Sequence, residues 1–296
     1  MQQNLIVLTG ATGFLGSRLL KKLQLEKFQV RVLVRPETDL RKLNSLSSLP
    51  PIIWNARKSQ PETPVDQSIH TIIHCAAEYG FEKAGAEKLT ETNLNFSRAL
   101  FAWGTLSKMQ RFVNAGTSLK PEVSPYAESK EAFREFLINQ KSSEIVHLQL
   151  EHFYGPGDSA KKFVTWLICE LLQNRSRIPL TLGEQIRDFI YVDDVINAFV
   201  HSLELKVESG FNQWHVRSPQ SSSIRKIAEL ICELCGKNQN CLGFGDKIYR
   251  TQEQMQVEQN QRSFMQTGWT PNVSLREGLI KTIEFEDHKM KNWGDN

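Results

Sequence analysis

Residues 4–24 read NLIVLTGATGFLGSRLLKKLQ, and the fold turns on them. Leu5 to Leu8 form a continuous apolar run, as expected of a strand buried on both faces. Leu19, Leu20 and Leu23 then recur at helical spacing. Between these runs stand Gly10, Gly13 and Gly16, spaced G-x-x-G-x-x-G. Such glycines are a weak signal alone; a strand before them and a helix after them make the context in which they hold a dinucleotide. Glycine permits the tight turn and lets backbone N–H groups approach a pyrophosphate, which sits at the positive end of the helix dipole. Gly10, Thr12, Gly13, Phe14, Leu15 and Gly16 are therefore the expected cofactor turn. The alternative is an ordinary strand–helix connection that needed flexibility.

The next strand, FQVRVLVR, ends at Arg35 with no acid at its tip. An acidic residue there would accept from the ribose hydroxyls of NAD, whereas an arginine suits the 2′-phosphate of NADP. NADP(H) is the expected cofactor, with NAD(H) as the alternative. The pattern then repeats outward: strands at 52–54 and 71–77, a long helix over 86–108 carrying Asn93, a strand at 111–118, a helix over 124–140, and a sixth strand within EIVHLQLEHFYGPGD, 144–158. Strand and helix alternating in this way predict an α/β Rossmann-type, doubly wound parallel sheet, with ligands outside the carboxyl ends of its strands. Those ends carry Arg35, Ala76, Thr117 and His152.

Two Tyr-x-x-x-Lys pairs occur, Tyr79 with Lys83 and Tyr126 with Lys130. Before Tyr126, Ser124 is a helix cap and Pro125 suits the first turn, so Tyr126 and Lys130 share one helix face. Thr117 ends the strand nine residues upstream. Reduction of a ketone needs a proton at oxygen, and a phenol supplies it best when a cation lowers its pKa; Lys130 is that expected cation. Gly80 interrupts the other pair, and Tyr79 is expected to line a substrate pocket.

The 296-residue chain carries a net charge of +3 with scattered basic residues, which argues against nucleic acid, and its apolar start is too short and glycine-broken to span a membrane. No secretory signal is visible, so its five cysteines are expected as reduced cytoplasmic thiols. Cys232, Cys235 and Cys241 lack a fourth ligand at zinc-finger spacing, and no metal is expected. The expected domains are residues 1–155, with about 181–205 returning to it, and a smaller mixed α/β domain over 156–296 with NQWHV as a short strand. The polar tail EFEDHKMKNWGDN is expected to fray.

Taken together, TGATGFLG, HCAA, Asn93 in TETNLN, Thr117, PYAESK, YGPGD and RDFIYVDDV resemble the extended short-chain dehydrogenase/reductase family of nucleotide-sugar epimerases, dehydratases and reductases. The resemblance implies Thr117, Tyr126 and Lys130 as catalytic residues with Asn93 supporting a proton relay. It implies Asn55, Ala76 and Lys130 at the cofactor, and Tyr79, Thr117, His152 and Arg187 at a nucleotide-sugar substrate; for Arg187 the alternative is a salt bridge with Asp188. It also implies a homodimer through the helices bearing Asn93 and Tyr126. The dehydratases follow the threonine with Asp-Glu, where this chain has Ser118 and Leu119. The segments LEHFYGPGD and GTSLKPEVSPYAESK are similar to the CDP-abequose and CDP-paratose synthases. The expectation is NADPH-dependent reduction of the 4-keto group of a CDP- or dTDP-linked deoxysugar. The alternatives are a 4-epimerase that retains NAD and a non-catalytic NADP-binding protein.

Overall fold

A computed structural model of the chain describes residues 4–43, 49–55, 58, 60–65, 68–80, 85–257 and 262–293. In chain order, β1 (Leu5–Thr9), α1 (Phe14–Leu25), β2 (Val30–Val34), β3 (Ile52–Ile53) and β4 (Ile69–His74) come first. Next come α2 (Ala86–Thr90), a π-helical turn (Glu91–Asn95), α3 (Phe96–Leu106), β5 (Arg111–Thr117), α4 (Pro125–Ile138) and β6 (Glu144–Leu150). They are followed by β7 (His152–Tyr154), α5 (Phe163–Leu172), β8 (Ile178–Leu180), β9 (Ile186–Tyr191) and α6 (Val192–Glu204). β10 (Gly210–Val216), β11 (Ser221–Ser223), α7 (Ile224–Leu234), β12 (Leu242–Phe244) and α8 (Leu275–Trp293) complete the strands and α-helices among the described residues.

The chain divides into two compact units, residues 1–150 with 196–216 and 262–269, and residues 151–195 with 217–261 and 270–296. The first unit holds a seven-stranded sheet of order β10-β6-β5-β4-β1-β2-β3, and every pairing in it is parallel. All five residues of β1 are buried, because parallel strands flanked by helices have no solvent face. Leu15, Leu19, Leu20 and Leu23 are the buried stripe of α1. Val7, Ile72, Phe112, Phe133 and Ile145 belong to the core of this unit. This is the Rossmann-type α/β architecture that the strand–helix alternation predicts.

Three expectations need correction. First, the stretch read as a sixth strand is two: β6 lies in the seven-stranded sheet, whereas β7 pairs in parallel with β9 in the second unit. The chain changes unit at Glu151, so one apolar run serves two sheets. Second, residues 181–195 do not return to the first unit, because β9 is held between β7 and β11. The returning segment is 196–216, and NQWHV lies in β10, which pairs with β6 over seven residues as an edge of the large sheet. Third, the polar tail, expected to fray, is helical as far as Trp293, where α8 ends; its last three residues lie outside the described residues. Lys281–Glu277 and Lys291–Asp287 pairs line its exposed face, and its buried Glu286 accepts the Gly157 N–H at 3.2 Å.

The second unit has its own core of Tyr154, Leu167, Ile168, Phe189, Ile227 and Ile231. There Cys232 Sγ lies 3.9 Å from Cys241 Sγ, and burial pushes the Cys232 thiol up to about 12. Among the described residues no group of three His, Cys, Asp or Glu could hold a metal ion, and no helix is long and apolar enough to cross a membrane.

Candidate active site

β1 delivers the chain into the glycine turn at the carboxyl edge of the sheet. Gly10 adopts φ +72°, a left-handed conformation that glycine reaches without strain. A Cβ there would lie 2.7 Å from the Ala76 nitrogen, and one at Gly16 would run into the Gly10 carbonyl. These two glycines let the turn, α1 and the end of β4 close on one another. Gly13 differs: a Cβ at this position would meet only the Gly10 carbonyl oxygen, at 3.3 Å. It caps α1 with no side chain, and the first turn holds no acidic residue. An open, uncapped helix start with a positive dipole fits a dinucleotide pyrophosphate. The turn is braced from β4, where Thr9 Oγ1 lies 2.8 Å from His74 Nδ1 and accepts the Ala76 N–H at 3.2 Å.

Arg35 follows the tip of β2 with its side chain 62% exposed and 3.4 Å from Glu37. An ion pair this open contributes about 0–1 kcal/mol, so Glu37 leaves the guanidinium available to a stronger anion. Asn55 is half-buried just beyond β3.

Ser124 caps α4 by accepting the Ala127 N–H at 3.2 Å, and Pro125 is its first residue. α4 therefore begins one residue before Tyr126, on the far side of a short loop from Thr117 at the end of β5. The Thr117 hydroxyl accepts the Leu119 N–H at 3.3 Å, and Ser118 N–H reaches the Leu150 carbonyl. Lys130, one helical turn beyond Tyr126, is buried to 4% exposure. Among the described residues no carboxylate pairs with it, and burial pushes its ammonium down to about 8, partly offset by Cys75. Burial and Lys130 hold His74 and His147 below their ordinary range, His147 at about 3, so both imidazoles are neutral at physiological pH.

Tyr126 is half-buried, and its phenol is pushed well above its ordinary value, first by burial and then by Tyr79. The expectation that Lys130 lowers this phenol is corrected here, because the ammonium couples instead to Cys75, His74 and His147. The tyrosine of the other Tyr-x-x-x-Lys pair stacks on Tyr126, centroids 4.7 Å apart and planes 20° from parallel. Its lysine, Lys83, lies outside the described residues.

Asn93 occupies the π-helical turn that interrupts the long helix expected over 86–108. Such bulges are rare and concentrate at functional sites. Asn93 is 1% exposed; it accepts the Glu78 N–H at 2.8 Å and donates to the Glu78 carbonyl and the Ser129 hydroxyl, both at 2.9 Å. No sequence signal marks the bulge, since its residues ETNLN are compatible with an ordinary helix.

His152 and Arg187 belong to the second unit. His152 is half-buried in β7, 3.4 Å from Glu151. Arg187 is 7% exposed, and its Nη2 lies 2.6 Å from Glu253. The carboxylate at that distance is Glu253. Glu253 is absent from the sequence-based site because it lies 66 residues away in a loop.

Similarities to known proteins bear on this arrangement. Over 294 residues the chain is 28% identical to a CDP-abequose synthase from Salmonella typhimurium, covering 94% of this chain and 97% of that protein. A UDP-glucuronic acid 4-epimerase from Bacillus cereus, solved in complex with NAD, superposes with a TM-score of 0.79 at 23% identity, covering 97% of this chain and 98% of that one. A dTDP-glucose 4,6-dehydratase from Bacillus anthracis, also with NAD, gives 0.78 at 16% identity, covering 99% of each chain. The two structures share the fold. The NAD dependent epimerase/dehydratase family matches residues 6–213, which include the glycine turn, Asn93, Thr117, Tyr126 and Lys130. The chain belongs to the NAD dependent epimerase/dehydratase family and is an NAD(P)-dependent oxidoreductase.

Proposed function

We propose that this enzyme reduces the 4-keto group of a CDP- or dTDP-linked deoxysugar with NADPH. The observation that carries the reading is the placement of Tyr126 in the first turn of α4, with buried Lys130 one turn further on and Thr117 at the end of β5, since reduction of a ketone needs a proton donor at the carbonyl oxygen. When bound, the nicotinamide supplies hydride to the carbonyl carbon. Tyr126 donates the proton, Thr117 holds the carbonyl oxygen, and Lys130 binds the cofactor ribose. The Gly10–Gly16 turn, Asn55 and Ala76 hold the rest of the dinucleotide. Tyr79 lines the sugar side; His152 and Arg187 take the nucleotide sugar, with Arg187 exchanging Glu253 for a diphosphate oxygen. Ser118 and Leu119 stand where a dehydratase has its acid pair, and the similarity to CDP-abequose synthase spans nearly both chains. Dimerisation through the helices of Asn93 and Tyr126 belongs to the same reading, and size-exclusion chromatography with light scattering measures it.

The test is NADPH oxidation with CDP- and dTDP-linked 4-keto deoxysugars, beside analysis of nucleotide released from heat-denatured protein. Substrate-dependent NADPH oxidation supports the reading. Stoichiometric released NAD with no NADPH oxidation would instead identify an epimerase.

Arg35 carries the cofactor preference. A charge contact to a phosphate contributes roughly 1–3 kcal/mol, so Arg35→Asp is expected to lose most discrimination between NADPH and NADH. The ratio of kcat/KM for the two cofactors measures it, and an unchanged ratio would remove Arg35 from the site.

A further inference from the structure

A line of buried polar groups crosses the first unit from the glycine turn to the π-helical turn. Thr9 Oγ1 accepts the Ala76 N–H at 3.2 Å and lies 2.8 Å from His74 Nδ1. The far nitrogen of the same ring, Nε2, lies 2.8 Å from Ser97 Oγ, and the Ser97 hydroxyl donates to the Thr92 carbonyl at 3.4 Å, the longest link. Thr9, His74 and Ser97 are all fully buried. Phe96, Phe112 and Phe133 pack around the imidazole, and burial, then Lys130, keeps it neutral.

The partners fix the direction of this line. A hydroxyl has one proton to give and a carbonyl has none. With the Ser97 proton committed to Thr92, the Ser97 oxygen takes its other bond from His74 Nε2–H. A neutral imidazole then has a bare Nδ1, and Thr9 donates to it. Every donor points the same way, from Ala76 through Thr9, His74 and Ser97 to Thr92, and bonds in such a chain strengthen one another. The chain ends inside the π-helical turn. There the Phe96 N–H donates to the Glu91 carbonyl, five residues back, and the Ser97 hydroxyl spans the same interval to Thr92 with its side chain. Ser97 thereby fastens the widened turn at the residue next to Asn93.

We propose that His74 is a positioning residue that, in its Nε2–H form, links the cofactor turn to the π-helical turn and so sets the register of Asn93. This rests on the reading of Asn93 as an active-site residue. One ring serves two ends. Through Thr9 it braces the backbone of Ala76, against which Gly10 closes. Through Ser97 it holds the turn from which Asn93 reaches Glu78 and Ser129. The two ends can be cut separately, by Thr9→Val and by Ser97→Ala. A histidine that merely fills the core would make both cuts act alike, through stability alone.

Two measurements need no substrate. Long-range proton–nitrogen correlation spectra of protein carrying isotope-labelled histidine, with His74 assigned by substitution, are expected to show its proton on Nε2. Amide exchange read by mass spectrometry is expected to quicken over residues 91–97 in Ser97→Ala and to stay near wild type in Thr9→Val. Fluorescence titration is expected to show the reverse split for the cofactor. Thr9→Val binds NADPH roughly tenfold more weakly, the effect of one lost buried hydrogen bond, while Ser97→Ala binds it as wild type does. Thermal melts confirm that both variants fold. In turnover, Ser97→Ala is expected to lower kcat with little change in KM for NADPH. A proton on Nδ1, or unchanged exchange over 91–97 in Ser97→Ala, overturns the proposal. Quickened exchange with kcat intact would uphold the link and refute the reading of Asn93 instead.

Discussion

Tyr126→Phe is expected to lower kcat roughly 10²–10⁴-fold, the usual contribution of a positioned general acid, while NADPH binding is almost unchanged. Phenylalanine keeps the ring that stacks on Tyr79 at 4.7 Å, and the Ser124 cap and Pro125 that start the helix are untouched. The substitution thus deletes one hydroxyl from an otherwise intact surface. Steady-state kinetics with a 4-keto sugar nucleotide, beside fluorescence titration of NADPH, measures both halves of the prediction. A dead Tyr79→Phe enzyme beside a working Tyr126→Phe enzyme would reverse the assignment of the two tyrosines.

Lys130→Met is expected to stabilise the cofactor-free protein while it abolishes most turnover and weakens NADPH binding. The ammonium is buried without a carboxylate partner among the described residues, and its pKa falls from 10.5 to about 8. At about 1.4 kcal/mol per pH unit, that displacement corresponds to roughly 3 kcal/mol of strain at neutral pH. Methionine fills a similar volume with no charge to desolvate, so the variant recovers up to that amount. The pH dependence follows from the direction of the shift. Because the folded value is depressed, the unfolded chain binds more protons between about 8 and 10.5, and wild-type stability rises with pH across that window. The advantage of Lys130→Met is therefore complete below about 8 and shrinks as pH approaches 10.5. Urea melts of both proteins at neutral and alkaline pH measure it, and equal stability at neutral pH would show that Lys130 is solvated or paired. Under the proposed role, the ammonium that folding disfavours is kept to donate to the cofactor ribose, so its removal is expected to cost function.

The sequence by itself determined the parallel sheet and the start of both key helices. Each depends on local rules: a continuous apolar run before three glycines, leucines at helical spacing after them, and a serine and proline ahead of Tyr126. These act within a few residues and survive any tertiary arrangement, which is why β1, α1, β5 and α4 stand where their residues predict. What the tertiary structure alone decided is pairing over distance. LQLEHFY reads as one strand, yet Glu151 divides it between two sheets, because hydrophobic periodicity specifies burial without specifying a partner. NQWHV joins β6 from more than sixty residues away, and Arg187 meets Glu253 across 66 residues of sequence. The tail is held as a helix by Glu286, whose partner is the backbone of Gly157. The π-helical turn at Asn93 and the stack of Tyr79 on Tyr126 belong to the same class. Both arise where a buried amide meets backbone fifteen residues earlier, an energy that exists only once the chain has closed on itself.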